Sequence, residues 1–181
     1  EAGYKDGGKF VGMANLSQDI MIIKDNRRVY RLSGEYPDWT ISEVSRNVEC
    51  IGRRSFTTMA ANVIILGRYE VQAITTSQDY GDVKPANIAS KVVRQVASLP
   101  HDTIVRYVPP LQQIWMIGTN GEVLLFDTVH NAWFKRRFNS DVVDVLSVGD
   151  ATYVIKGDRL SQLDDTSFTD NGRDMIWHFQ A

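Results

Sequence analysis

QIWMIGTNGEVLLFDTVHNAWFKRRF, residues 113–138, decides how the chain is read. It holds two short apolar runs, Ile114–Ile117 and Val123–Phe126, joined through Thr119-Asn120-Gly121. Asn-Gly is a strong hairpin signal, because a two-residue type I′ turn needs positive φ at both central positions. A third run, Trp133–Phe138, follows a polar connection. Both hairpin runs are apolar on consecutive residues, which predicts strands buried on both faces. An antiparallel sheet buried in that way needs layers above and below it, and the rest of the chain must supply them.

Moving outward, the same layout recurs. Lys9–Asn15, Asp19–Ile23, Val29–Leu32 and Trp39–Ser45 read as strands, with a turn at Asp25-Asn26 and a loop punctuated by Pro37. Ser55–Met59, Asn62–Leu66 and Tyr69–Thr75 follow, and Gly67-Arg68 suits a type II′ turn. Thr103–Val108 precedes the opening hairpin. Asp141–Val148, Thr152–Ile155 and Arg159–Leu163 come after it, with Gly157-Asp158 as a second type II′ candidate. Met175, Trp177 and Phe179 alternate as in a half-buried strand. Glu1–Gly8 is polar and glycine-rich and reads as a loose lead-in. Asn87–Leu99 is the one helical pattern, with Ile88, Val92, Val96 and Leu99 on one stripe and Pro85 and Pro100 as punctuation. It reads as a cover over a sheet edge or as a docking helix.

The turns at Asp25, Gly67, Asn120 and Gly157 recur about every 40 residues once the helical stretch is set aside. Units of three or four short strands at that period are the signature of β-propeller blades. The expectation is therefore an all-β chain, a single β-propeller-like domain or a fragment of one over 1–181. It has about four blades, approximately 9–45, 54–100 (including a helix at 87–99), 103–138 and 141–180. A four-bladed ring and half of a larger ring both fit. A two-sheet sandwich is the rival architecture.

Composition narrows the function classes. The 181 residues carry a net charge of −2, so bulk electrostatics do not point to nucleic acid. A lone cysteine, Cys50, excludes an internal disulfide framework. No apolar run reaches the roughly 18–20 residues of a membrane span. Both ends read as cuts in a longer protein.

At Ser45–Ser55, SRNVECIGRRS, the residues Ser45, Asn47, Val48, Cys50, Arg54 and Ser55 match a phrase that leads from one blade to the next. On these residues the chain resembles the propeller-containing tail proteins of short-tailed bacteriophages, the packaged-DNA stabilisation and tail-nozzle group. Glu49 stands where that phrase has Gly. Val29–Gly34 and Ile176–Phe179 are similar in style. The resemblance covers about thirty residues around Val29–Ser55; elsewhere only the layout agrees. It implies a virion structural protein, made in the bacterial cytoplasm and placed at the portal-proximal tail, where such proteins retain packaged DNA. Implied partners are other tail or portal proteins and further copies of the chain. It brings no catalytic residues and no cofactor.

The residues themselves offer little chemistry. His101, His130 and His178 fall in separate units, none with a second ligand at helical spacing. Asp164, Asp165 and Asp170 form an acidic loop without an EF-hand pattern, and Asp79, Asp82 and Asp102 are scattered. Cys50 reads as a buried thiol. Three basic clusters, Arg27-Arg28, Arg53-Arg54 and Lys135-Arg136-Arg137, read as solvated strand edges or as a patch for partner or DNA contact, together with Lys91 and Arg94 of the helical stretch. The expectation is no enzyme, no metal and no cofactor. The alternative is a ligand- or carbohydrate-binding or hydrolysing propeller with its site at the channel mouth. A third class is a cellular scaffold that binds a peptide.

Overall fold

The computed structural model describes residues 3, 5–76, 83–119, 121–138, 142–163, 169–170, 173–174 and 177–179. The chain forms two compact units, Glu1–His101 and Asp102–Ala181. It is all-β, built of antiparallel sheets in which neighbouring strands are consecutive in the chain except at one edge of the third, and among the described residues no sheet closes into a barrel.

In the first unit, β1 (Phe10–Leu16), β2 (Asp19–Lys24), β3 (Val29–Ser33) and β4 (Thr40–Ser45) make the first sheet. The second sheet is β5 (Phe56–Met59), β6 (Asn62–Leu66), β7 (Val71–Thr76) and β8 (Val83–Asn87). Alternation aims Ala14, Leu16, Met21, Ile23 and Val29 of the first sheet and Val63, Ile65 and Ile74 of the second into one core. Burying each large aliphatic side chain stabilises by roughly 1.5–3 kcal/mol. The Ser45–Ser55 phrase is the crossover between the two sheets. It stays in register through Val48 N–H to Arg27 O (3.1 Å) and Ile51 N–H to Leu66 O (3.1 Å), and Ser55 O accepts from Leu66 N–H (2.8 Å). Val48 and Cys50 drop into the shared core.

In the second unit, β9 (Ile104–Val108), β10 (Gln113–Ile117), β11 (Glu122–Asp127) and β12 (Ala132–Arg137) make the third sheet. The fourth is β13 (Val142–Val148), β14 (Ala151–Lys156) and β15 (Arg159–Gln162). A two-stranded ribbon, β16 (Thr169–Asp170) with β17 (Arg173–Asp174), follows. Then β18 (Trp177–Phe179) pairs with β12 as a fifth strand of the third sheet. Trp115, Ile117, Val123 and Leu125 pack with Phe138, Val142, Val145 and Val154 in the second core. Ile114, Met116, Leu124 and Phe126, on the other face of the same hairpin, are buried as well, as its unbroken apolar runs require.

The recurring turns all fall at one place. Asp25, Gly67, the Gly118–Gly121 connection and Gly157 each join the second strand of a sheet to its third. Gly157 takes φ +57, and Asp158 is outside the positive-φ set, as a type II′ turn requires. Gly121 is at φ +74; its neighbour Asn120 lies outside the described residues. Gly67 departs from expectation, because its φ is not positive. The Gly67–Glu70 connection is longer than two residues, closed by Gly67 N–H to Glu70 O at 2.8 Å. A Cβ on Gly67 would stand 3.2 Å from Glu49 O, so close backbone approach explains this glycine.

Two further expectations change. The helix spans only Val93–Ala97 (α1), not Asn87–Leu99. Asn87 ends β8, Ile88 N–H still bonds Val71 O (2.9 Å), and the Asn87 side chain accepts from Ala89 N–H (2.9 Å). Ladder and Asx bonds thus hold 87–89 in a non-helical form, a competition that Asn side chains often win. Nor is the lead-in loose at Asp6. The Asp6 side chain is buried against Lys24 (2.5 Å) and Tyr30 Oη (2.8 Å), and Asn26 Nδ2 donates to Asp6 O (3.1 Å).

Candidate interaction surface

The first and fourth sheets each keep an apolar face outside the cores. On the first, cross-strand register lines up Met13 with Ile22, Ile20 with Leu32, and Leu32 with Ile41. The lead-in covers one end of this face over Lys24 and Tyr30. Met13 and Ile41 remain exposed, with Ile20, Ile22 and Leu32 half-buried beside them. On the fourth sheet, Leu146 faces Tyr153, Val148 faces Ala151, and Ile155 faces Leu160. Val148 and Leu160 are 63% and 61% exposed, and Leu146 is exposed too. A contiguous apolar sheet face on a soluble surface is a mark of an interaction site. Runs such as Ile20–Ile23, apolar on both parities, carried that signal in the sequence.

The β3–β4 loop presents a second feature. Tyr36 is 84% and Trp39 59% exposed, and their rings meet edge to face with centroids 6.1 Å apart. Glu35 and Asp38 beside them are exposed. In the sequence this loop is marked by Pro37, and its two aromatics fall within four residues.

The nine basic residues fall in both units, six in the first and three in the second. In the first unit, Arg27 pairs with Glu49 (3.7 Å). Arg28 pairs with Glu43 (3.1 Å), which Arg46 also contacts. The Arg46 hydrogen bond, helped by the charge of Arg28, holds the Glu43 carboxyl below its ordinary range against the opposing effect of burial. Arg53 and Arg54 are exposed in the Gly52–Ser55 turn, whose Ser55 is buried; Lys91 and Arg94 are exposed beside and on α1. In the second unit, Lys135 pairs with Glu122 (2.9 Å) and Arg137 is exposed. Arg136 is buried, its guanidinium over the rings of Phe138 and Trp115. It turns inward because β12 sends residues 134 and 136 to the core face. That removes it from any solvent-facing cluster.

Asp127 caps the turn that holds His130: burial would raise its carboxyl, but hydrogen bonds from the His130 N–H and ring and the Val129 N–H lower it. His101 lies against Arg68, with Nη2 to Nε2 at 3.2 Å. The side chain of His178, together with Asp79, Asp82, Asp164 and Asp165 and the side chain of Asp170, lies outside the described residues. Among the described residues no three acidic, cysteine or histidine groups converge as metal ligands, and no helix is long and apolar enough to cross a membrane. Cys50 is buried, and desolvation pushes its thiol up to about 11 despite a bond to Gly52 O (3.2 Å). Comparison with known protein families and with curated proteins finds no match.

Proposed function

We propose that this chain is a run of β-propeller blades that works by assembly, as a non-catalytic structural part of a short-tailed phage or prophage tail. Its partners would be portal-proximal tail proteins or further copies of itself, and the assembled tail would retain packaged DNA. Consecutive antiparallel sheets with the same second-to-third-strand turn support the blade reading. So does the crossover role of Ser45–Ser55, the segment that resembles tail proteins.

One observation carries the assembly role: the uncovered apolar face of the fourth sheet, Leu146, Val148, Ile155 and Leu160. A blade sheet buries both faces against neighbours, so such a face fits another blade or a partner sheet. The test is solution mass by light scattering across concentration, alone and mixed with portal-proximal tail proteins. The expected result is a discrete oligomer or complex that Val148→Glu with Leu160→Glu abolishes while circular dichroism is unchanged. A monomer at every concentration that joins no tail protein would overturn the reading.

The second reading, a carbohydrate-binding propeller, is favoured by the exposed Tyr36–Trp39 pair with Glu35 and Asp38 beside it. Aromatic faces stack on sugar rings and carboxylates accept their hydroxyls. Quenching of tryptophan fluorescence by bacterial surface glycans, lost in Trp39→Ala, would select it.

A further inference from the structure

Among the described residues, β4 is paired on one side only, with β3. Thr40, Ile41, Ser42 and Glu43 are exposed in succession. A strand paired on one side turns the N–H and C=O groups of alternate residues toward open space, a template for another strand. Chains guard such edges with Pro, with cations or with a covering strand. The last strands of the other three sheets show these guards. In the second sheet β8 carries Lys84 and Pro85, in the third β12 is paired with β18, and in the fourth β15 opens on Arg159. The β4 sequence, Thr-Ile-Ser-Glu-Val-Ser, has neither Pro nor a cation. Its one charge, Glu43, lies against Arg28 and Arg46. The pairing moves from Tyr30 with Glu43 to Val29 with Ser45, a bulge at Val44 that leaves Thr40–Glu43 as the regular edge.

We propose that this edge pairs antiparallel with the same edge of a second copy of the chain, across a two-fold axis at Ile41. Two four-stranded sheets then become one sheet of eight strands. A two-fold axis normal to the sheet keeps both outer faces on one side, so residues of like parity stand opposite each other. That leaves four centres on the regular edge. Centring on Glu43 sets two carboxylates opposite each other, which is destabilising. Centring on Ser42 sets Ile41 against Glu43. Centring on Thr40 runs the pairing into the loop that holds Pro37.

Centring on Ile41 has none of these faults. Ile41 meets Ile41 of the other copy on the outer face, and Thr40 meets Ser42 on the other face, a pair whose hydroxyls hydrogen-bond across strands. Trp39, two residues before Ile41, comes diagonal to the Ile41 of the other copy, and an aromatic beside a β-branched residue is a favourable neighbour. Trp39 and Ile41 are 59% and 39% exposed in the single chain, so both have surface to bury. The outer-face row Ile20, Leu32, Ile41 of one copy continues directly into that of the other. The inference stands apart from the tail reading, because it uses one edge of the first unit and not the face of the fourth sheet.

The experiment is sedimentation equilibrium of the whole chain carrying Val148→Glu and Leu160→Glu, which removes association through the fourth sheet and leaves β4 untouched. The expected result is a reversible dimer. In that background Ile41→Glu, and separately Ile41→Lys, should each weaken the dimer at least about tenfold, because each sets two like charges opposite each other. An equimolar mixture of the two should dimerise at least about tenfold more tightly than either alone, since Glu then faces Lys. That rescue also shows that both variants fold. A monomer at every concentration, a dimer indifferent to both Ile41 variants, or a mixture no tighter than its components would each overturn the proposal. Each of these failures leaves the fourth-sheet reading standing, because that reading rests on other residues.

Discussion

The guanidinium of Arg136 lies 4.5 Å from the ring centroid of Phe138, inside the second core. Lys156, from β14, places its ammonium 5.2 Å from the same centroid. Phe138 thus joins cations from the third and fourth sheets, both buried. Such contacts gain strength where water is excluded.

Arg136 is therefore a structural residue, and its two neighbours are not. Arg136→Ala is expected to destabilise by about 1–3 kcal/mol through lost packing and lost cation–π contact. Arg137→Ala should stay within about 0.5 kcal/mol. Urea denaturation of the two variants separates them. Equal effects would mean that the inward course of Arg136 is wrong.

The buried Asp6–Lys24 pair predicts a pH signature. The Lys24 hydrogen bond, joined by the Gly8 N–H and the Tyr30 hydroxyl, holds the Asp6 carboxyl well below the usual carboxylate range against the opposing effect of burial. A carboxyl depressed in the folded state stabilises fully above its unfolded value, near 4, and loses that contribution as pH falls toward the folded value. Asp6→Asn should melt below the parent at pH 7, and the gap should narrow below about pH 4. A gap independent of pH from 7 to 3 would show that the pair contributes nothing through charge.

The strands were legible because the apolar runs and turn residues agreed. Val123–Phe126 has four apolar residues in a row and is buried on both faces. The turns at Asp25 and Gly157 sit where their residue types placed them. What stayed hidden depends on partners distant in sequence. Nothing local in Gly3–Gly8 announces that Asp6 will meet Lys24 and Tyr30. The helical stripe from Ile88 to Leu99 was real only in its second half, because the first half had a strand to pair with. Arg136 looked like one of three surface cations until the parity of β12 was fixed. Arg68 carried only a turn signal, beside Gly67; the fold brings it to His101.

Cys50 should be inert in the folded protein. Its thiol, raised from 9.0 to about 11 chiefly by desolvation, carries about a hundredfold less thiolate near pH 8 than an exposed one. Reaction with a disulfide reagent at pH 8 is expected to be at least about a hundredfold slower in buffer than in denaturant. Rapid native labelling would mean that the Ser45–Ser55 crossover opens and exposes its core residues.

The first two sheets meet where β1 approaches β5. A Cβ built on Gly12 would stand 2.4 Å from Phe56 Cζ and 2.7 Å from Cε1, so any larger residue must displace the ring. Phe56 packs against the first core. Gly12→Ala is therefore expected to cost about 1–3 kcal/mol as an overpacking change. Shrinking the ring should relieve it. In a Phe56→Ala background, the added methyl group enters space the ring has left, and Gly12→Ala should cost less than about 0.5 kcal/mol. The double-mutant cycle would then report a coupling of about 1 kcal/mol or more, as for residues in direct contact. Additive costs would mean that Gly12 is required by its backbone and not by Phe56. The first two sheets would then not meet at this point.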